Sequence, residues 1–345
     1  MAPDRVLRGC VLTHLKGWSF RALERELRST LIDRRFTRFD AEITPDFSTF
    51  SRVFAVLTPA VTEPIHHRVV GVAREQGVAP GRKLRVATTV VERNIHHPTD
   101  STLLGDGIRV LSRGLARMAG ECHRGAVQVV NPGRAVKHRL LEISRAAKSL
   151  MTAGRQRMRD RYQPLVALTR SVVRQAGDVL RRWAAGRLTV VGDLLQVDAE
   201  TCLLRHYLPL VEHVITQTKA RVWGGNRHVA GKVLSLFEPH TQVIRKGKAH
   251  KPNEFGRLVR VDEVEQGIVS GYHVLEGNAA DTNSFVPALD HHHACFGRAP
   301  HMATADRGFF SAQNEREAEA RGVAKVALPA RGHLLLPLDA LARRL

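Results

Sequence analysis

A carboxylate at the end of a short apolar strand can hold a divalent cation, accept a proton, or simply fix a turn. Asp306 has that setting: it ends Met302-Ala-Thr-Ala-Asp306 and is followed by the turn Arg307-Gly308. Ser311 then stands where the N-cap of a polar helix over Gln313–Arg321 belongs, with Gly322 as its stop. Both roles, metal ligand and turn residue, are open for Asp306, because aspartates are frequent in turns. Asp100 offers a second carboxylate, in Pro98-Thr-Asp-Ser101. Its place before an apolar helical run over about Thr102–Gly120 makes Asp100 or Ser101 an N-cap, with metal ligation of Asp100 as the alternative. Asp281 is expected to cap a helix over Ser284–Leu289. His291-His292-His293 carries ligand-type side chains, but consecutive residues cannot all face one ion on a helix, so the triplet reads as a surface helix end.

These groups need elements to position them. Val6, Leu7, Val11, Leu12 and Leu15 recur at helical spacing up to Gly17. A second helix starts at Ser19 with Phe20, Leu23 and Leu27 on one face and Arg21, Arg25 and Arg28 on another, and a third starts at Thr44-Pro-Asp46. Short helices with a glycine turn and arginine-rich faces suit a helix-turn-helix-like module, or a helical packing domain with solvated arginines. A further helix over Pro64–Gln76 ends near Gly77. Lys83–Val91 is a β-branched, buried strand. After a long helical stretch the pattern turns to strands over Thr241–Arg245, Leu258–Val264 and Ile268–Leu275, the last two an antiparallel pair, and a final strand covers Val323–Leu328.

The charge balance narrows the partner. Lys and Arg number 53 against 33 Asp and Glu, a formal net charge of +20, which favours a polyanion. Residues 124–187 hold fifteen Lys/Arg against Glu142, Asp160 and Asp178, a net of +12. A solvated helix face usually mixes both signs, so this block suits phosphate contact. Candidate DNA contacts are Arg21, Arg25 and Arg28 in the N-terminal helices, Arg134, Lys137, Arg139, Arg155, Arg157 and Arg159 in the basic block, and Arg245, Lys246 and Lys248 in a basic turn. Cys10, Cys122, Cys202 and Cys295 are far apart and form no CxxC pair, so neither a zinc site nor a disulfide framework is suggested, and a cytoplasmic location is expected. No apolar run approaches membrane-spanning length, and no signal-peptide h-region is present.

A strand, a long helical block, further strands, a helix and a strand ending in Asp form the order of a ribonuclease-H-like mixed α/β core with an α-helical insertion. Several segments together resemble DDE transposases of bacterial insertion sequences, of the ISNCY type. They are Gly17-Trp-Ser-Phe-Arg-Ala-Leu-Glu-Arg-Glu26, Thr88-Thr-Val-Val-Glu92 with Asn94-Ile-His96, Pro98-Thr-Asp-Ser-Thr-Leu-Leu-Gly-Asp106, Ser235-Leu-Phe-Glu-Pro-His-Thr241, Val274-Leu-Glu-Gly-Asn278 with Asp281, and Ala305-Asp-Arg-Gly308. The resemblance implies an N-terminal helical DNA-binding domain over residues 1–80. It implies a catalytic core over 81–345, with the basic insertion at about 102–232.

The resemblance also implies a chemistry: two Asp and one Glu hold two Mg²⁺ ions for phosphodiester cleavage and strand transfer on double-stranded DNA, in a protein that can form a homodimer. Asp306 matches the second aspartate and would ligate metal; the first aspartate falls at Ala87, whose methyl group cannot. The family's Glu lies on a helix beyond the last strand, so the chain is expected to be a C-terminally truncated, catalytically impaired transposase in which Mg²⁺ occupancy is low. The rivals are a non-catalytic DNA-binding protein or repressor, an active nuclease using Asp100, Asp306 and Glu92 or Glu276, and an RNA-binding helical protein. The last is ranked lowest because aromatic stacking residues are few.

Overall fold

The computed structural model describes residues 2–127, 129, 132–147, 152–226, 228–245 and 252–330, and the side chains of all of these except 152–155. In chain order the elements are α1 (Pro3–Lys16), α2 (Phe20–Ser29), α3 (Leu31–Thr37), α4 (Phe47–Phe54), α5 (Pro59–Glu75), β1 (Lys83–Glu92), α6 (Asp100–Glu121), α7 (Gly133–Ala147), α8 (Thr152–Ala184) and α9 (Leu194–Val222). They continue with β2 (Gln242–Ile244), β3 (Glu254–Glu263), β4 (Val269–Leu275), α10 (Phe285–Phe296), β5 (Met302–Ala305), α11 (Ala312–Ala320) and β6 (Lys325–Ala327). The protein is thus a mixed helix-and-sheet chain, with strand order β2-β3-β1-β5-β6 and β4 paired to β3. Among the described residues no helix is long and apolar enough to cross a membrane.

The chain folds as two compact units, one of Met1–Ala87, Val261–Tyr272 and Ala280–Leu345, the other of Thr88–Arg260 and His273–Ala279. In the first, α1 to α4 close around Leu12, Leu23, Leu27, Phe39 and Phe50, all buried, with Phe20 and Phe54 edge-to-face at 5.2 Å. Gly17 ends α1 in the left-handed conformation, and Ser19 and Asp46 cap α2 and α4 by accepting from Ala22 N and Thr49 N. The helix α3 lies where the sequence offers no apolar period. It is held by Arg34, whose guanidinium donates to the carbonyls of Leu27, Asp40 and Glu42 and to the Thr44 hydroxyl. The helix read as starting at Pro64 begins at Pro59, and Pro64 stays inside it. Residues 59 to 63 precede Pro64 within the first turn and a half, so its ring displaces few intrahelical bonds.

The same unit holds β5 between β1 and β6, parallel to both, over Leu84, Val86, Ala303, Ala305, Phe285 and Phe309. Glu265 accepts the backbone N–H groups of Gly81, Arg82 and Lys83 at 3.0, 2.6 and 2.8 Å and so fixes the entry to β1. Burial pushes the Glu265 carboxyl up, but these bonds and one from its own backbone hold it below the ordinary glutamate range. The histidine triplet is a surface helix end only in part: His293 is exposed in the last turn of α10 and His291 is half-buried, but the middle residue is not at the surface. His292 is fully buried in α10, stacked on Phe296 at 4.6 Å, and its Nε2–H donates to Gly81 O at 3.1 Å.

The second unit is built on α6 to α9, whose core contains Leu104, Leu111, Leu115, Tyr162, Leu165, Leu204, Val211 and Val214. The helix α6 lies closest to α9 where it lacks side chains: a Cβ on Gly107 would stand 2.8 Å from Val211 Cγ2. The pair β2–β3 is antiparallel. The strand β3 alternates buried and half-buried, yet its buried set is Glu254, Gly256, Leu258, Arg260 and Asp262 rather than its valines.

Candidate functional site

The paired register of β1 and β5 runs to Val86 and Ala305, so Ala87, inside β1, and Asp306, just past the end of β5, are the next residues along the two chains. Asp306 brings a carboxylate to this end of β5, whereas Ala87 brings only a methyl group. Asp306 is exposed, and its Oδ1 accepts Gly308 N–H at 2.9 Å, opening a 3₁₀ turn over Arg307–Phe309 that the buried Phe309 anchors. Ser311 caps α11 by accepting from Asn314 N at 3.1 Å, as the spacing predicts.

A second carboxylate reaches the same place. A Cβ on Gly308 would lie 2.6 Å from Asp281 Oδ2 and 3.0 Å from Asp306 Oδ1, so both acids reach this glycine. Asp281 does not cap α10: it begins the 3₁₀ turn Asp281–Ser284, and Ser284 holds the N-cap position. The two loops are tied by Asn314, which is buried and donates from Nδ2 to Thr282 O at 2.9 Å and to Phe309 O at 2.8 Å. The role of Asn314 is tertiary; its only sequence signal is its position in the first turn of α11.

Among the described residues no group of three or more His, Cys, Asp or Glu side chains is arranged to hold a metal ion. Among the described residues, Asp281 and Asp306 supply fewer anionic oxygens than two Mg²⁺ ions draw on.

The other carboxylates have different work. Thr99, not Asp100 or Ser101, is the N-cap of α6: its hydroxyl accepts from Thr102 N at 3.1 Å, and Thr102 reciprocates to Thr99 N. Asp100 is the first helical residue, 2% exposed, paired with the Arg221 guanidinium and accepting from Gln217 Nε2 at 3.3 Å. Glu276 is held by Arg257 and by Gln242 Nε2 at 3.0 Å, and the Arg257 bond lowers its pKa. Glu92 is exposed at the end of β1.

The basic candidates divide by their partners. Arg25 and Arg28 are exposed but paired with Glu26 and Glu24 at 2.8 and 2.6 Å, while Arg21 lies 4.5 Å over the Phe47 ring. Arg139 is half-buried, its Nε without a partner, and Arg159 donates from Nε to Val222 O at 3.1 Å, closing the end of α9. Arg245 donates to Asn253 Oδ1 at 3.3 Å. Arg134, Lys137 and Arg157 are exposed and form no ion pair among the described residues. The Arg155 side chain, Lys246 and Lys248 lie outside the described residues.

Residues 1–55 match the family model described as "Transposase domain (DUF772)", which covers α1 to α4. No curated protein and no solved structure matches the chain.

Proposed function

We propose that this chain is a transposase-type DNA-binding protein of an insertion sequence, with a ribonuclease-H-like core around Asp306, in which metal-dependent strand cleavage is impaired. The observation that carries the reading is the transposase-domain match over residues 1–55. It is supported by the net charge of +20 and by the exposed, unpaired Arg134, Lys137 and Arg157, which suit the phosphate backbone of duplex DNA. The loss of chemistry rests on Ala87: where the resemblance puts the first aspartate, the chain offers no oxygen to a cation.

Titration of the full chain with a duplex at rising salt tests the binding. A protein neutralising six to ten phosphates loses on the order of 10³-fold or more in affinity between 50 and 200 mM salt. Affinity that is flat with salt would overturn the reading. A second reading has its own observation: Asp281 and Asp306 meet at Gly308, and two carboxylates could hold one divalent ion for slow nicking. It predicts nicking that Asp281→Asn and Asp306→Asn each abolish.

A further inference from the structure

A cavity of about 620 Å³ opens between α6 and α7 in the second unit. That volume lies within the range of small-ligand pockets. Its apolar walls come from Ile108, Val136 and Leu140, and Gly105 keeps the floor open, since a Cβ there would already stand 3.1 Å from Leu140 Cδ1. Two kinds of polar group face this apolar space. Asp106, its side chain 13% exposed, is held by Arg109 at 2.6 Å and His96 at 3.4 Å. Burial raises the Asp106 pKa against the opposing pull of Arg109 and His96. Ser112, also a lining residue, has a buried hydroxyl with no hydrogen-bond partner among the described residues. At the exposed edge, Arg113 and Lys137 form no ion pair among the described residues.

The combination selects a ligand with a flat apolar body, hydrogen-bonding edges and an attached anion. The orphan Ser112 hydroxyl and the Asp106 carboxylate can meet the amino and carbonyl edges of a nucleobase, the aliphatic walls its faces, and Arg113 and Lys137 a phosphate. The exposed Arg134 on the same helix as Lys137 carries the cationic track beyond the cavity, which favours a nucleotide within a strand over a free one. We propose that this cavity accepts one unstacked nucleotide of a bound DNA strand, so that the helical unit reads distorted or unpaired DNA as well as the duplex backbone. This inference rests on the DNA-binding reading above.

The test uses the full chain and two duplexes of one sequence, one fully paired and one carrying a single extrahelical 2-aminopurine nucleotide. The expected result is a Kd about tenfold lower for the second duplex, with a change in 2-aminopurine fluorescence on binding. Gly105→Leu and Leu140→Trp each fill the cavity and are expected to remove the preference while leaving affinity for the paired duplex unchanged; two variants on different helices guard against one that fails to fold. Equal Kd values for the two duplexes in the unaltered protein would overturn the cavity proposal and leave the DNA-binding reading standing. A preference that survives in either folded variant would overturn it as well. Failure of both duplexes to bind would overturn the DNA-binding reading itself.

Discussion

Asp100 and Asp306 are the same side chain in two settings. Asp100 is sealed in the helical unit, ion-paired with Arg221 and accepting from Gln217 on Oδ1, while its buried Oδ2 has no hydrogen-bond partner among the described residues. Asp306 sits exposed at the end of a parallel strand, accepts one backbone N–H, and shares the Gly308 backbone with a second carboxylate. A buried, ion-paired acid organises helices. An exposed acid at a strand end is the one open to solvent, ions and phosphates. Both lie in segments rich in turn residues, and only tertiary contacts separate their roles.

The contrast is most easily destroyed at Asp100. Asp100→Ala leaves the Arg221 guanidinium without its carboxylate and Gln217 Nε2 with Val233 O alone, and is expected to cost about 3 kcal/mol, the low end for breaking a buried pair, measured by denaturant unfolding. Asp306→Ala removes one turn bond and is expected to cost about 1 kcal/mol or less in the same assay. Equal losses would mean the two settings do not differ. Next in size is the seam between α6 and α9. Gly107→Leu drives a side chain into Val211 and is expected to cost about 2 kcal/mol by overpacking, while Gly120→Ala, which meets nothing within 4 Å, is expected to be neutral or slightly stabilising.

A smaller effect lies in α10. Burial lowers the His292 pKa from the ordinary 6.5, against the raising effect of its bond to Gly81. A folded-state value below the unfolded one means the stability is fully present above about pH 6.5 and is lost as pH falls below that value toward the folded one. Unfolding free energies measured between pH 7 and 5 should therefore drop, and His292→Phe should flatten the drop. A profile unchanged by the substitution would place the titration elsewhere.

The smallest expected effect concerns the strand-end site itself. Ala87→Asp restores an oxygen ligand beside Asp306 and should make the melting temperature rise with Mn²⁺ more than in the unaltered chain. An identical Mn²⁺ response in both would argue against the two positions meeting at one ion.

Much of this arrangement is legible in local sequence. The strand Lys83–Val91, the Asp306 turn, the Ser311 cap and the helices around Leu23 and Phe50 follow from apolar period and capping residues. What escapes is set by distant partners. The helix α3 depends on Arg34 reaching carbonyls as far away as Glu42, and no apolar repeat announces it. Thr99 wins the cap of α6 because Asp100 is drawn into the core by Arg221, more than a hundred residues later. His292 looks like part of a polar triplet until the Gly81 carbonyl and Phe296 enclose it. The polar buried face of β3 likewise reverses what hydrophobicity alone would choose.

The most direct measurement incubates the full chain with plasmid DNA carrying the sequences that flank its gene, in Mg²⁺ and in Mn²⁺, and reads retained complex and cut strands from one sample. Salt-sensitive complex formation with no metal-dependent cleavage is the expected result. Metal-dependent strand cleavage that Asp306→Asn abolishes would contradict it, and would show that Ala87 does not cost this site its chemistry.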